Sequence, residues 1–231
     1  MTVVAAVFTR GGSKGLPRKN LRRLGDRTLL EHAVSSALDA ALVDRVIVST
    51  DDDEIAQVAR SAGADVPFRR PADLADDASP EWLAWQHAVR TLEEAGDSCD
   101  VLVSVPTTAP LRRSADIDAA VDRLLGSHFD LVLTVTPARR SPWFNMVTVD
   151  DVLGARLIMT PSNEVARRQD VPAAFDITTV AYAVRRARLL ESRGLFDGSV
   201  GAVVVPEERA VDIDTELDLR LAEILWQERR S

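Results

Sequence analysis

A chain of 231 residues, 46% hydrophobic and 28% charged, has the composition of a soluble globular protein long enough to bury a substantial core. Its formal net charge of -8 argues against a general nucleic-acid surface, and its single cysteine, Cys99, excludes an intramolecular disulfide or a Cys-rich zinc site. That cysteine usage fits a reducing cytoplasm, and no apolar stretch approaches the length of a membrane span.

The first element, VVAAVF (3–8), is apolar throughout, as expected of a strand buried on both faces. A Gly-rich loop follows, and TLLEHAVSSALDAAL (28–42) has the apolar spacing of a helix. RVIVST (45–50) reads as the next strand, DDDEIAQVARSAG (51–63) as a helix with acids in its first turn and a closing glycine, and DVPFRRP (65–71) as a short strand. PEWLAWQHAVRTLEEAG (80–96) is a helix with Pro near its start, DVLVSV (100–105) a buried strand, SADIDAAVDRLLGS (114–127) a helix that Ser114 would cap, and DLVLTV (130–135) a strand. Over 137–183 the rhythm changes to short β-like pieces, WFNMV, ARLIM and TTVAYAV. RRARLLESRGL (185–195) is helical, VGAVVVP (200–206) a strand and TELDLRLAEILWQER (215–229) an amphipathic closing helix. The alternation predicts one α/β, Rossmann-like domain over 1–231. Its sheet is mostly parallel with helices on both faces, and it carries a small inserted antiparallel β lobe at about 137–183.

The loop TRGGSKGLPRKN (9–20) lies where ligands bind in open α/β sheets, beyond the carboxyl end of the first strand. Gly11, Gly12 and Gly15 allow sharp turns and close approach of backbone N–H groups, and Arg10, Lys14, Arg18 and Lys19 add positive charge. The combination suits a polyphosphate; the plainer alternative is a surface loop with solvated charges. Neither G-x-x-x-x-G-K-[ST] nor G-x-G-x-x-G is present, so an ATPase or a dinucleotide dehydrogenase is not supported. Near the other end, VDIDTELDL sets Asp212 and Asp214 two apart. In an extended segment both carboxylates point the same way and would suit a hard dication such as Mg²⁺. The competing reading is a helix cap, with Thr215 and Asp218 forming a capping box, and the two can coexist on different residues. His32, His87 and His128 fall in or beside predicted helices and read as surface or packing residues, so no general base stands out.

The opening TRGGSKGLPRKNLRRLGDRTLLEHAV resembles that of the N-acylneuraminate cytidylyltransferases, the CMP-sialic acid synthetases. The likeness continues through IVSTDDDEIAQVA, RRPADLADDAS, PTTAPLR, RRQDVP and VDIDTELDL, nearly the whole chain. It implies a nucleotidyltransferase fold and transfer of CMP from CTP to an acidic acceptor with loss of pyrophosphate. On the matching positions it implies Arg10, Ser13 and Lys14 around the CTP phosphates, in the loop with Gly11 and Gly12, and Lys19 at the reacting α-phosphate. It further implies Asn20 and Arg70 at the ribose and cytosine, Ser79 near the nucleotide, and Mg²⁺ on Asp212 and Asp214. Arg168 and Gln169 match positions at the sugar carboxylate, a task that suits a bidentate guanidinium. A homodimer, in which the lobe reaches toward the partner's active site, is the family's usual assembly; no nucleic-acid or membrane partner is expected.

The acceptor side departs from that pattern. Pro106 stands where a Gln is usual, Ala109 replaces Ser, Thr178 and Thr179 replace Asn-Gly while Tyr182 is kept, and Phe144 stands near the place of a lysine. Trp143, Phe144, Asn145, Thr178 and Tyr182 are the candidates for an altered pocket, against their alternative as core or interface residues. The acceptor is accordingly expected to be sialic acid, a relative such as legionaminic or pseudaminic acid, another ulosonic acid, or a phosphonate. A sugar-1-phosphate nucleotidyltransferase and a non-catalytic nucleotide-binding module are the competing functions.

Overall fold

The computed structural model describes residues 1–12, 16–76, 79–160, 167 and 170–229. In chain order it has β1 (Val3–Phe8), the small hairpin β2 (Arg23–Leu24) and β3 (Arg27–Thr28), α1 (Leu29–Leu38), β4 (Arg45–Ser49) and α2 (Asp53–Ser61). Then come α3 (Glu81–Glu94), β5 (Val101–Ser104), α4 (Ser114–Leu125), β6 (Leu131–Pro137) and a second hairpin of β7 (Val147–Val149) and β8 (Ala155–Leu157). The chain closes with β9 (Phe175–Arg185), α5 (Arg186–Glu191), β10 (Val200–Val204) and α6 (Glu216–Glu228).

Six strands form one sheet in the order β10-β6-β9-β5-β1-β4. The pairs β1–β4, β1–β5 and β6–β10 are parallel, whereas β9 runs antiparallel to both β5 and β6. The uniformly apolar VVAAVF follows from its position, because each face needs its own core. Val3, Ala5 and Val7 pack with α1, α2 and α4 residues such as Leu30, Val34, Ile55 and Ile117. Val4 and Ala6 pack with Trp82, Trp85 and Leu92 of α3 and Leu189 of α5 on the opposite face. A third cluster seats α6, through Leu219 and Ala222, on Leu16, Leu24 and Leu29.

Several boundaries differ from the sequence pattern. α1 starts one residue after Thr28, which caps it reciprocally with Glu31, and stops at Leu38 rather than running to 42. Residues 65–71 make only isolated bridges, Ile47 to Asp65 and Thr50 to Arg69. Ser114 is the first helical residue of α4 and not its cap; the Asp116 carboxylate accepts from the Arg113 N–H at 2.9 Å instead. The stretch TTVAYAV, expected in the inserted lobe, belongs to β9 in the middle of the main sheet. An 11-residue strand gains far more pairing between β5 and β6 than in a small lobe, and its lower half, Phe175–Ile177, extends along β6 beyond the end of β5.

Candidate active site

The carboxyl ends of the parallel trio β4, β1 and β5 deliver Ser49, Phe8 and Ser104 to one edge of the sheet. Above them opens a cleft of about 360 Å³, within the size range of small-ligand sites. Arg10 and Gly12 of the first loop line it, with Lys19 and Asn20 from the turn that follows. Arg70, Ser79 and Glu81 line it from the α3 side, Pro106, Thr107 and Thr108 from the loop after β5, Thr179 and Tyr182 from β9, and Asp212 and Asp214 from the segment before α6.

Lys19 begins a single 3-10 turn, Lys19–Leu21, that follows a left-handed Arg18 (φ 55°). This brings its ammonium to 2.8 Å from Asp214 Oδ1, across 195 residues of sequence. The lysine is 16% exposed and the aspartate 67%, so the anion faces the open cleft and the cation lies in its wall. Asp212 Oδ1 accepts from Thr179 Oγ1 at 3.0 Å, and Thr179 Oγ1 in turn accepts from Thr108 Oγ1 at 3.1 Å. The capping box is formed as well: Thr215 Oγ1 accepts from the Asp218 N–H, and Asp218 Oδ2 accepts from the Thr215 N–H. Capping is therefore the work of Thr215 and Asp218, and the side chains of Asp212 and Asp214 are left to the cleft. Among the described residues no group of three or more His, Cys, Asp or Glu could hold a metal ion together, and Asp212 and Asp214 bring two carboxylates to the cleft.

Asn20 bridges two walls. Its amide donates to the Arg10 carbonyl at 2.9 Å and its Oδ1 accepts from Thr107 Oγ1 at 2.6 Å, tying the loop after β1 to the loop after β5. Arg70 is 6% exposed; it donates to the Ser49 hydroxyl at 3.1 Å and to the Ser49 carbonyl, and its guanidinium lies 5.6 Å from the centre of the Phe8 ring. Burial lowers it to about 10, so it stays cationic at neutral pH. Tyr182, whose ring is 5.7 Å from that of Trp85, is raised to about 12 by burial and keeps its proton.

Gly11 plays a different part from the one expected. It is absent from the cleft wall, its N–H donates to Asp51 Oδ1 at 3.2 Å, and a Cβ there would sit 2.6 Å from Asp52 Oδ2. The glycine allows the acidic run Asp51–Asp53 to approach the loop. Asp52 both caps α2 through the Ile55 N–H and holds Arg18 Nη1 at 2.8 Å, which keeps its carboxyl below the usual range. Thr178 is also corrected: it is 5% exposed and bonds Thr134 Oγ1 at 2.8 Å, while its neighbour Thr179 reaches the cleft. Trp143, Phe144 and Asn145 are not in this wall. Ser13, Lys14, Arg168 and Gln169 lie outside the described residues.

Glu81, Thr108 and Thr179 are cleft residues that sequence reasoning missed or passed over. Glu81 is exposed as a residue, yet its carboxyl accepts from Trp85 Nε1 at 3.1 Å and desolvation raises it above the usual carboxylate range, with Arg70 opposing. Glu81 is the first residue of α3, two positions after Ser79. The three histidines pack against rings, His32 on Trp226, His87 on Phe68 and His128 on Phe129, and none of them lines the cleft.

A family model described as Cytidylyltransferase matches residues 4–224. The chain is 33% identical over 224 residues to the CMP-N,N'-diacetyllegionaminic acid synthase of Campylobacter jejuni, covering 96% of this chain and 94% of that one. It is 32% identical over 228 residues to the post-translational flagellin modification protein B of Campylobacter coli, covering 98% and 96%. Against the N-acylneuraminate cytidylyltransferase B of Danio rerio the identity is 32% over 221 residues, 95% of this chain and 50% of that protein. Among solved structures, the CMP:2-keto-3-deoxy-manno-octonic acid synthetase complexed with CTP superposes with a TM-score of 0.75 at 17% identity, covering 99% of this chain and 100% of that one, a likeness of fold. With a nucleotide-sized cleft at the strand ends and a family match across nearly the whole chain, this protein belongs to the cytidylyltransferase family and is a CTP-dependent nucleotidyltransferase.

Proposed function

We propose that the enzyme transfers CMP from CTP to a nonulosonic-type acid and releases pyrophosphate. The observation that carries the reading is the meeting of Lys19 and Asp214 at 2.8 Å in a cleft also lined by Arg10 and Asp212, which gathers the cations and the acid pair around one nucleotide-sized space. The name of the Campylobacter jejuni relative, a CMP-N,N'-diacetyllegionaminic acid synthase, favours this acceptor class.

In the reaction a hydroxyl oxygen of the acceptor attacks the α-phosphorus in line. The bond from that phosphorus to the bridging oxygen of pyrophosphate breaks, and the hydroxyl proton is lost to solvent. Such a step depends on positioning and on placing charge where it develops. Lys19 lies against the α-phosphate, and Arg10 with Lys14 draws off the departing pyrophosphate. To Gly12 and Ser13 we assign the phosphates as well, and Gly11 serves by letting Asp51 and Asp52 brace the loop. Asn20, Arg70 and Ser79 hold the nucleoside. Asp212 and Asp214 would hold Mg²⁺, and a pair of carboxylates completed by phosphate oxygens fits that ion's preference. When bound, Mg²⁺ supplies neutralising charge at the phosphate oxygens. Arg168 and Gln169 take the acceptor's carboxylate, and Tyr182 offers the acceptor a hydroxyl from the cleft wall.

The β7–β8 hairpin leaves Val147, Val149, Val152 and Leu153 51–87% exposed, with Phe175 and Ile177 beside β6 also exposed. A patch of this kind suits an interface, and we assign it to a homodimer working in the cytoplasm. Sedimentation of a fully active monomer would remove that assembly.

The test of the activity is pyrophosphate release with CTP against sialic, legionaminic, pseudaminic and deoxyoctulosonic acids and small phosphonates, and with the other three NTPs. Turnover with CTP and a nonulosonic acid is expected. Turnover confined to phosphonates would move the acceptor class, and preference for another NTP with a sugar 1-phosphate would overturn the reading.

A further inference from the structure

Between the pairs Leu133–Tyr182 and Val135–Ile177, β6 contributes one residue, Thr134, while β9 contributes four, Thr178–Ala181. The surplus forms a wide bulge in a central strand beside the cleft. Bulges near active sites commonly re-aim a side chain. Thr134 holds this one from the β6 side: its Oγ1 accepts from the Ala181 N–H at 3.1 Å and from Thr178 Oγ1 at 2.8 Å.

On the other side stands Arg112. It is 5% exposed; two of its three guanidinium nitrogens donate to main-chain carbonyls, and Nη1 is buried with no hydrogen-bond partner among the described residues. Nε donates to the Val180 carbonyl at 2.8 Å, and Nη2 donates to the Thr179 carbonyl at 3.0 Å and to the Pro106 carbonyl. One fork thus joins the bulge of β9 to the loop after β5. Among the described residues no carboxylate forms an ion pair with it; Asp116 and Asp212 lie close enough to favour its charge. The two segments it joins carry Thr108 and Thr179, whose hydroxyls run in series to Asp212, and the Thr108 carbonyl accepts from the Ile213 N–H at 2.8 Å. Lysine offers one donor atom where this site uses two nitrogens in a fixed plane.

We propose that Arg112 is a positioning residue of the nucleotidyl transfer: by holding the β9 bulge against the loop after β5, it keeps Thr108 and Thr179 in line and Asp212 turned into the cleft. Part of the cost of burying a guanidinium is offset at this point by the Thr179 and Val180 carbonyls, which the bulge takes out of the strand ladder. Removing the fork frees the bulge, and with it the hydroxyl that orients Asp212. The role rests on the reading that Asp212 works in the transfer.

The test uses the whole chain as wild type, Arg112→Lys, Thr179→Val, Asp212→Asn and the double variant Arg112→Lys/Asp212→Asn. Pyrophosphate release gives kcat and KM for CTP, and thermal melting is run alongside. Arg112→Lys and Thr179→Val are each expected to lower kcat about 10- to 100-fold, as for groups that orient a functional ligand, while KM for CTP moves less than about threefold. In the Asp212→Asn background, Arg112→Lys is expected to cost less than about threefold more, because the carboxylate it orients is already gone. Losses that multiply in the double variant overturn the proposal, and so does wild-type turnover by a normally melting Thr179→Val. Near-normal turnover of Asp212→Asn sinks the reading of Asp212 itself and this role with it, whereas a damaged Asp212→Asn with multiplying losses sinks the role of Arg112 alone. If Arg112→Lys does not fold, Thr179→Val, which removes one hydroxyl from a side chain of nearly the same shape, decides the matter.

Discussion

Replacing Lys19 by Ala separates catalysis from stability. In the resting protein the ammonium pairs with Asp214, which is 67% exposed, so the pair is screened by water and its loss costs about 1 kcal/mol of folding stability or less. In the proposed role the same ammonium would face phosphate charge from a position only 16% exposed, where water cannot readily take its place. Loss of one such preorganised group costs about 3–4 kcal/mol of transition-state stabilisation, or about 10²- to 10³-fold in kcat. The activity term exceeds the stability term by roughly 2 kcal/mol or more, so the two are separable in one variant. Steady-state pyrophosphate release and denaturant unfolding on the same preparation provide the two numbers. Turnover within about threefold of the wild type would refute the assignment of Lys19 to the reacting phosphate.

Three further outcomes follow from individual contacts. Thr215→Ala removes the cap of α6 and is expected to cost about 1 kcal/mol in urea unfolding, with a far smaller loss of turnover than Asp212→Asn. Gly25 has φ 65° and a Cβ there would stand 2.5 Å from Trp226 Nε1, so Gly25→Ala is expected to lower stability by at least about 1–2 kcal/mol, read by the same unfolding curves. Burial against Trp226 lowers His32 below its ordinary 6.5, outweighing its bond to the Leu24 carbonyl. The unfolded chain therefore binds the proton more readily than the native one. The stabilisation is present above the ordinary value and is lost as pH falls through it toward the lower native one. Urea midpoints should drop between about pH 7.5 and about pH 5.5, and His32→Gln should flatten that drop; an unchanged slope would remove His32 as its source.

Much of the site was legible in the sequence because its parts are local. The loop after β1 announced itself by glycines and cations following an apolar strand, and Arg10, Gly12, Lys19 and Asn20 do line the cleft. The acid pair was visible as two carboxylates in an extended segment, and the competing cap proved to belong to Thr215 and Asp218, one turn further on. Gly11 was read as a phosphate neighbour because a glycine's partner is invisible in sequence; its neighbour is the acidic run 51–53, some 40 residues away. Glu81 carried no signal of its own, because nothing in the local pattern shows that its carboxyl meets Trp85 Nε1 and lines the cleft.

The period of apolar residues, the capping pairs and the Gly-rich loop fixed which segments become strands, helices and a wall of the cleft, since each depends on neighbours a few residues apart. Only the tertiary structure decided that TTVAYAV enters the main sheet rather than the lobe, and that Thr179 rather than Thr178 reaches the cleft. Both outcomes go with how β9 registers against β6 and with a buried arginine that donates to the carbonyls of the bulge, pairings between residues some 40 to 70 apart. Register along a strand is set by the sum of contacts with its neighbours, and no local pattern in β9 encodes where its ladder breaks.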